Sequence, residues 1–149
     1  MQLSEQWVLV TGGARGLGQS ITRALAREGA GVVINYLHSD AAAQALAEEL
    51  GPRALALQAD VTDAAAVQRL FAQARERTGQ PISAVVNNAL AQFRFDGDAR
   101  PQIGDITWQR FAQQLEGAVK GALNTTQAAL PDMREQGFGR IVNVGTNLF

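Results

Sequence analysis

The chain has 149 residues and a mass of 15.9 kDa, the size of one domain around one core. With 46% hydrophobic residues, 18% charged residues and a formal net charge of -1, it excludes compositional disorder and offers no basic excess for nucleic-acid phosphates. The absence of cysteine removes disulfides, thiolate metal sites and a cysteine nucleophile, and one histidine, His38, cannot build a histidine-based metal centre.

Apolar runs extend for only a few residues, against the roughly 20 that span a bilayer, and Met1-Gln2-Leu3-Ser4-Glu5 lacks a cationic signal-peptide head. A cytoplasmic protein is predicted, with neither membrane nor nucleic acid as partner. Lys120 is the only lysine and Tyr36 the only tyrosine. A mechanism that needs these two residue types one helical turn apart therefore cannot be assembled from this chain.

Trp7-Val8-Leu9-Val10-Thr11 opens the chain as an apolar run, the mark of a strand covered on both faces. Leu17, Ile21, Ala24, Leu25 and Glu28 come next with helical spacing, and Gly29 is placed to stop that helix. Gly31 to Tyr36 reads as a second strand; Ser39 or Asp40 caps a helix carrying Leu46 and Leu50 and ending at Gly51-Pro52. Ala54-Leu55-Ala56-Leu57 is a weaker third strand, then Thr62 or Asp63 caps a helix with Val67, Leu70, Phe71 and Ala74 on one face. Ile82 to Asn87 is the fourth strand. Asp105 or Thr107 opens the longest helix, running through Phe111, Leu115, Val119 and Leu123 toward Pro131, Gly137 and Gly139; that stripe, with Trp108, is predicted to pack mainly on its own sheet. Arg140 to Val144 is the fifth strand. Such alternation predicts an α/β fold with a parallel sheet, helices on both faces and right-handed crossovers.

The junction of the first strand and helix, Thr11-Gly12-Gly13-Ala14-Arg15-Gly16-Leu17-Gly18, carries the strongest chemical signal. A turn without side chains lets backbone N–H groups approach a pyrophosphate, and the positive end of the helix favours the anion. An ordinary glycine-rich turn is the alternative; its place in a βαβ unit favours phosphate. The same stretch has P-loop spacing, with Asp60 as a magnesium ligand after the third strand, but Gln19 stands where that loop needs a lysine. A degenerate P-loop triphosphatase remains a minor alternative.

TGGARGLG after the first strand resembles the TGxxxGxG loop of the short-chain dehydrogenase/reductase family, with glycines at 12, 16 and 18. Asp60-Val61-Thr62 is similar to the family segment whose aspartate binds adenine, Asn87-Asn88-Ala89 to its NNAG motif, and Gly139 to Val144 to the strand leading to its catalytic serine. The chain is most similar to bacterial 3-oxoacyl-acyl-carrier-protein reductases. With right-handed crossovers, the resemblance implies a doubly wound Rossmann sheet of five strands in the order 3-2-1-4-5, incomplete on the C-terminal side. Residues 1–149 then form a single NAD(P)-binding domain, truncated before the YxxxK helix that carries the family's catalytic tyrosine and lysine.

The departures from the family are specific. Leu90 replaces the glycine after NNA, Ala118 stands where the central helix carries a catalytic asparagine, and Thr146 occupies the catalytic serine position. The implied function is NADP-dependent reduction of a ketone or 3-oxoacyl thioester by the parent protein, with this chain as its cofactor-binding half. A non-enzymatic dinucleotide-binding or regulatory module is the alternative. The implied contacts are Gly12, Arg15, Gly16, Leu17 and Gly18 at the phosphates, Tyr36 and Ser39 at the ribose, Asp60 and Val61 at adenine, and Asn87, Asn88 and Ala89 beyond. Strand two ends in Tyr36 rather than the aspartate of NAD-preferring members, and Arg15 and Ser39 can hold a 2′-phosphate, so NADP is favoured over NAD. For Arg15 the alternative is a solvated turn arginine, and for Asn87 and Asn88 ordinary strand-end asparagines. His38 reads as a loop residue, and Asp96, Gly97, Asp98 and Arg100 as a loop without metal-ligand spacing. The resemblance also implies a homo-oligomer through the long helix, and an apolar fifth-strand edge that makes the isolated chain self-associating or unstable.

Overall fold

The computed structural model describes residues 1–90 and 102–145. The β-branched runs form β1 (Trp7–Val10), β2 (Gly31–Tyr36), β4 (Ala84–Asn87) and β5 (Arg140–Asn143), and the alanine-rich run forms β3 (Ala54–Gln58). All pairings are parallel, in the order β3-β2-β1-β4-β5, which is the order the sequence predicts. Low strand propensity in β3 is overridden by pairing with β2 from Val32↔Ala54 to Tyr36↔Gln58 and by alternation across the sheet. Leu55 and Leu57 enter the core on one face while Ala56 packs on the other.

That alternation divides the helices. α1 (Gly16–Arg27) and α2 (Asp40–Leu50) cover one face, where Ile21 and Leu25 meet Val8, Val10 and Val86, and Ala43 and Leu46 meet Val32, Ile34 and Tyr36. α3 (Ala64–Thr78) lies on the opposite face, its Val67, Leu70, Phe71 and Ala74 packed with Leu9, Val33, Leu57 and Val85. Asp63 caps α3 by accepting the Ala65 and Ala66 N–H groups at 2.9 and 3.2 Å.

The long helix starts at Thr107, one of its two predicted openings, whose hydroxyl accepts the Arg110 N–H at 3.3 Å. It differs from its sequence reading in three respects. It then runs as α4 (Trp108–Leu115), a π-helical turn (Glu116–Lys120) and α5 (Gly121–Glu135), with right-handed helical backbone through both joints. Pro131 lies within α5 rather than ending it; it is exposed, as is Gln127, whose carbonyl it deprives of an N–H partner. The stripe predicted to face the sheet faces outward: Phe111, Leu115, Val119 and Leu123 are 52%, 44%, 61% and 52% exposed. Trp108 is likewise no packing residue of the core, since it is exposed and stacks on Phe111 with ring centroids 5.8 Å apart.

The reason lies on the other side of the helix. Gly117, Gly121, Asn124, Thr125, Ala128, Ala129 and Met133 are its buried residues, and a Cβ at Gly121 would stand 2.8 Å from Val61 Cγ2. Only a face of small and hydrogen-bonding groups approaches that closely, and the large apolar side chains are left on the opposite side.

Leu9, in the central strand, is completely buried among α3 and β4 side chains. Leu9→Ala is expected to lower the unfolding free energy by about 3 kcal/mol in urea denaturation, through lost transfer energy and an unfilled cavity.

Candidate functional site

The loop between β1 and α1 closes on itself. Gly12 and Gly16 have φ of 62° and 52°, in the left-handed region where a Cβ is strained. A Cβ on Gly18 would lie 2.2 Å from the Gly12 carbonyl oxygen and 2.6 Å from Asn88 Nδ2. The first turn of α1 is thereby pressed against the end of β1.

A second loop, after β4, locks into the first. Thr11 Oγ1 accepts the N–H groups of Asn88 and Ala89 at 2.9 and 3.0 Å, and Asn88 Nδ2 donates to the Thr11 carbonyl at 3.0 Å. From the other side Asn35, fully buried in β2, accepts the Gly12 N–H on Oδ1 at 3.4 Å and donates from Nδ2 to the Ala59 carbonyl at 3.0 Å. The ends of β1, β2, β3 and β4 are thus tied to one another. Sequence reasoning misses the roles of Thr11 and Asn35, although an amide inside an apolar strand is a readable signal because it must find partners.

Arg15 holds the cap position of α1 in extended backbone, without a side-chain cap, and the first turn contains no acidic residue. Its leading N–H groups therefore look for an external acceptor, at the end where the helix dipole favours an anion. Gly16 adjoins open space, with no atom within 4 Å of a Cβ built on it, and Leu17 is 59% exposed beside it. Arg15 is exposed and pairs with no carboxylate among the described residues. An uncapped, acid-free helix start behind a glycine-rich turn fits a pyrophosphate.

The other candidate residues lie along the same C-terminal edge of the sheet. Tyr36 is buried, and its hydroxyl donates to Asp40 Oδ1; that hydrogen bond, then burial, raises its pKa above the ordinary phenol value. Ser39 is the cap residue of α2 but makes no side-chain cap bond. Asp60 Oδ1 accepts the N–H and hydroxyl of Thr62 at 2.8 and 2.7 Å, which shapes the turn into α3. Val61 is held by the long helix, where Asn124 Nδ2 donates to its carbonyl at 2.8 Å.

Asn87 is engaged at both ends, accepting from the Thr125 hydroxyl at 2.6 Å and donating to Asn143 Oδ1 at 2.9 Å. It joins β4, β5 and α5, and Leu90 beyond it is about half exposed. Ala118 and Lys120 lie exposed in the π turn. Tyr36 ends β2 and Lys120 ends the π turn, so the two do not stand one helical turn apart. Thr146, Asp96, Gly97, Asp98 and Arg100 lie outside the described residues. Among the described residues no three acidic or histidine side chains gather as a metal site, and no helix is long and apolar enough to cross a membrane.

Residues 6–148 match the family described as short chain dehydrogenase. A sorbitol dehydrogenase from Cereibacter sphaeroides is 38% identical over 147 residues, which cover 98% of this chain and 54% of the relative. The 3-oxoacyl-[acyl-carrier-protein] reductase of Staphylococcus aureus is 34% identical over 142 residues, 93% of this chain and 54% of the relative. An uncharacterized oxidoreductase of Methylorubrum extorquens is 32% identical over 148 residues, 97% of this chain and 56% of the relative. The chain therefore spans about half the length of these curated relatives.

Thr11→Val removes the acceptor shared by two backbone N–H groups. It is expected to cost about 2–3 kcal/mol in urea denaturation, with most of the loss restored by Thr11→Ser, which keeps the oxygen.

Proposed function

Because the chain belongs to the short chain dehydrogenase family, we propose that it is the cofactor-binding part of an NADP-dependent oxidoreductase that reduces a ketone. The observation that carries this reading is the uncapped start of α1 behind a turn whose conformation at Gly12 and Gly16, and close packing at Gly18, require glycine. In this reading residues 1–149 form one NAD(P)-binding domain. Backbone N–H groups from Gly12 to Gly18 hold the pyrophosphate. Arg15 and Ser39 take the 2′-phosphate beside Tyr36, Asp60 and Val61 border adenine, and Asn87, Asn88 and Ala89 support the nicotinamide ribose. When bound there, the nicotinamide would supply the hydride for the carbonyl carbon.

The chain's own contribution is binding, orientation and one donor. The Thr146 hydroxyl, in the position of the family's serine, donates to the carbonyl oxygen on which negative charge develops. Tyr36 is a poor proton donor, because it is buried, bound to Asp40 and raised in pKa. The proton and the cation that assists its transfer therefore come from groups outside this chain. The substrate assigned is a 3-oxoacyl thioester; the similarity to the Staphylococcus reductase supports it. A non-enzymatic dinucleotide-binding module is the second reading, favoured by Ala118 at the position of the family's helix asparagine. A degenerate triphosphatase loses its ground to Gln19 and to the family match. The protein is assigned to the cytoplasm.

A second copy of the chain is the partner assigned to the outward stripe of α4 and α5, where Phe111, Leu115, Val119 and Leu123 expose large apolar surface. In β5, Val142 is 52% exposed, which supports further coverage of that edge. Val119→Arg is expected to shift the protein to a lighter species in sedimentation velocity. A wild-type protein that already sediments as a monomer at micromolar concentration would contradict the assignment.

Titration with NADPH, NADH and Mg-ATP tests the main reading. NADPH is expected to bind most tightly, whereas tight Mg-ATP binding without dinucleotide binding would overturn it. Leu17→Glu places an acid at the exposed start of α1 and separates site from scaffold. It should weaken NADPH by about tenfold through charge repulsion, while thermal stability stays level or rises by about 0.3–1 kcal/mol through the helix dipole.

A further inference from the structure

Tyr36 stands 20 residues after Gly16, about where this kind of βαβ unit carries the carboxylate that takes the ribose 2′-hydroxyl. By sequence that carboxylate is absent. The structure restores one from the next element: the Tyr36 hydroxyl, at the last residue of β2, donates to Asp40 Oδ1 in the first turn of α2. Asp40 is exposed, which leaves the residue open to solvent one turn beyond the strand end. No salt bridge neutralises it among the described residues, Arg15 included. It also lies at the positive end of α2, the place a 2′-phosphate would otherwise exploit.

We propose that Asp40 is a specificity-determining residue of the adenosine ribose site, held there by Tyr36 as its positioning residue, and that it opposes the 2′-phosphate which Arg15 and Ser39 attract. This rests on the dinucleotide reading and sharpens it. The carboxylate accepts a hydrogen bond from a free ribose hydroxyl and repels a phosphate, so the site admits NADH beside NADPH and its discrimination is a balance of opposed groups. The phenol is a donor to the carboxylate, which fixes Asp40 in place; the raised phenol pKa agrees with that bond.

The test measures binding of adenosine 2′,5′-bisphosphate and of AMP, which differ only in the 2′-phosphate, by calorimetric titration of the protein. Asp40→Asn is expected to raise the bisphosphate-to-AMP affinity ratio by about five- to tenfold. Tyr36→Phe should raise it by less, because the carboxylate is freed and not removed, and the double variant should match Asp40→Asn alone. An unchanged ratio in Asp40→Asn would overturn the inference and leave the Tyr36–Asp40 bond as a brace for α2. Additive effects in the double variant would remove Tyr36 from the positioning role. Thermal melting of each variant shows whether the fold is retained. Should a folded wild-type protein bind neither probe nor either dinucleotide, the dinucleotide reading falls and this inference with it; binding of both with a ratio indifferent to Asp40 defeats the inference alone.

Discussion

The close approach of Gly18 to the Gly12 carbonyl, with Asn88 wedged against both, is the contact on which the rest of the site depends. It requires β1 and β4 to be neighbours, which the Val8↔Ala84 register provides, and it requires a residue without Cβ at the second position of the packed turn. Once made, it aims the uncapped start of α1 over the strand ends where the sheet order reverses. The side chains around it do structural work: Thr11, Asn35 and Asn88 make their hydrogen bonds within the protein, beside an uncapped helix start flanked by the exposed Arg15 and Leu17.

The opposite face of the sheet obeys the same constraint. Gly121 lies against Val61, Asn124 takes the Val61 carbonyl, and Thr125 reaches Asn87, so the long helix is drawn to the edge that frames the site. A chain of hydrogen bonds from the buried Thr125 through the buried Asn87 to the exposed Asn143 connects α5, β4 and β5. The helix that frames the site with its small residues carries its large apolar ones outward. Scaffold and exposed apolar surface are therefore two faces of one element.

Strands, helix caps and the glycine loop are legible in the sequence because each rests on a local rule, whereas the strand order follows from the family resemblance together with right-handed crossovers. Continuous Val/Ile runs mark strands buried on both faces, Asp63 and Thr107 cap the helices that begin beside them, and glycine appears where a Cβ cannot. The stripe of the long helix misleads because helical spacing shows that a helix is amphipathic without showing which face the sheet prefers. Small residues at 117, 121, 125 and 128–129 decide it, and they carry little weight in a hydrophobicity pattern. The π turn is invisible for a related reason, since an extra residue in a helix changes its phase and not its composition. By sequence Asp40 is only a cap candidate. Its link to Tyr36 depends on a hydroxyl reaching across one turn, which only coordinates show.

Binding by the backbone of the first turn of α1 underlies every functional assignment made for this chain, and amide chemical-shift mapping on NADPH addition tests it most directly. The largest shifts are expected at the N–H groups of Gly16, Leu17 and Gly18, with smaller ones at the ends of β2 and β4. Saturable binding that leaves those three amides unmoved, with its shifts centred on the exposed stripe of the long helix or elsewhere, would contradict it.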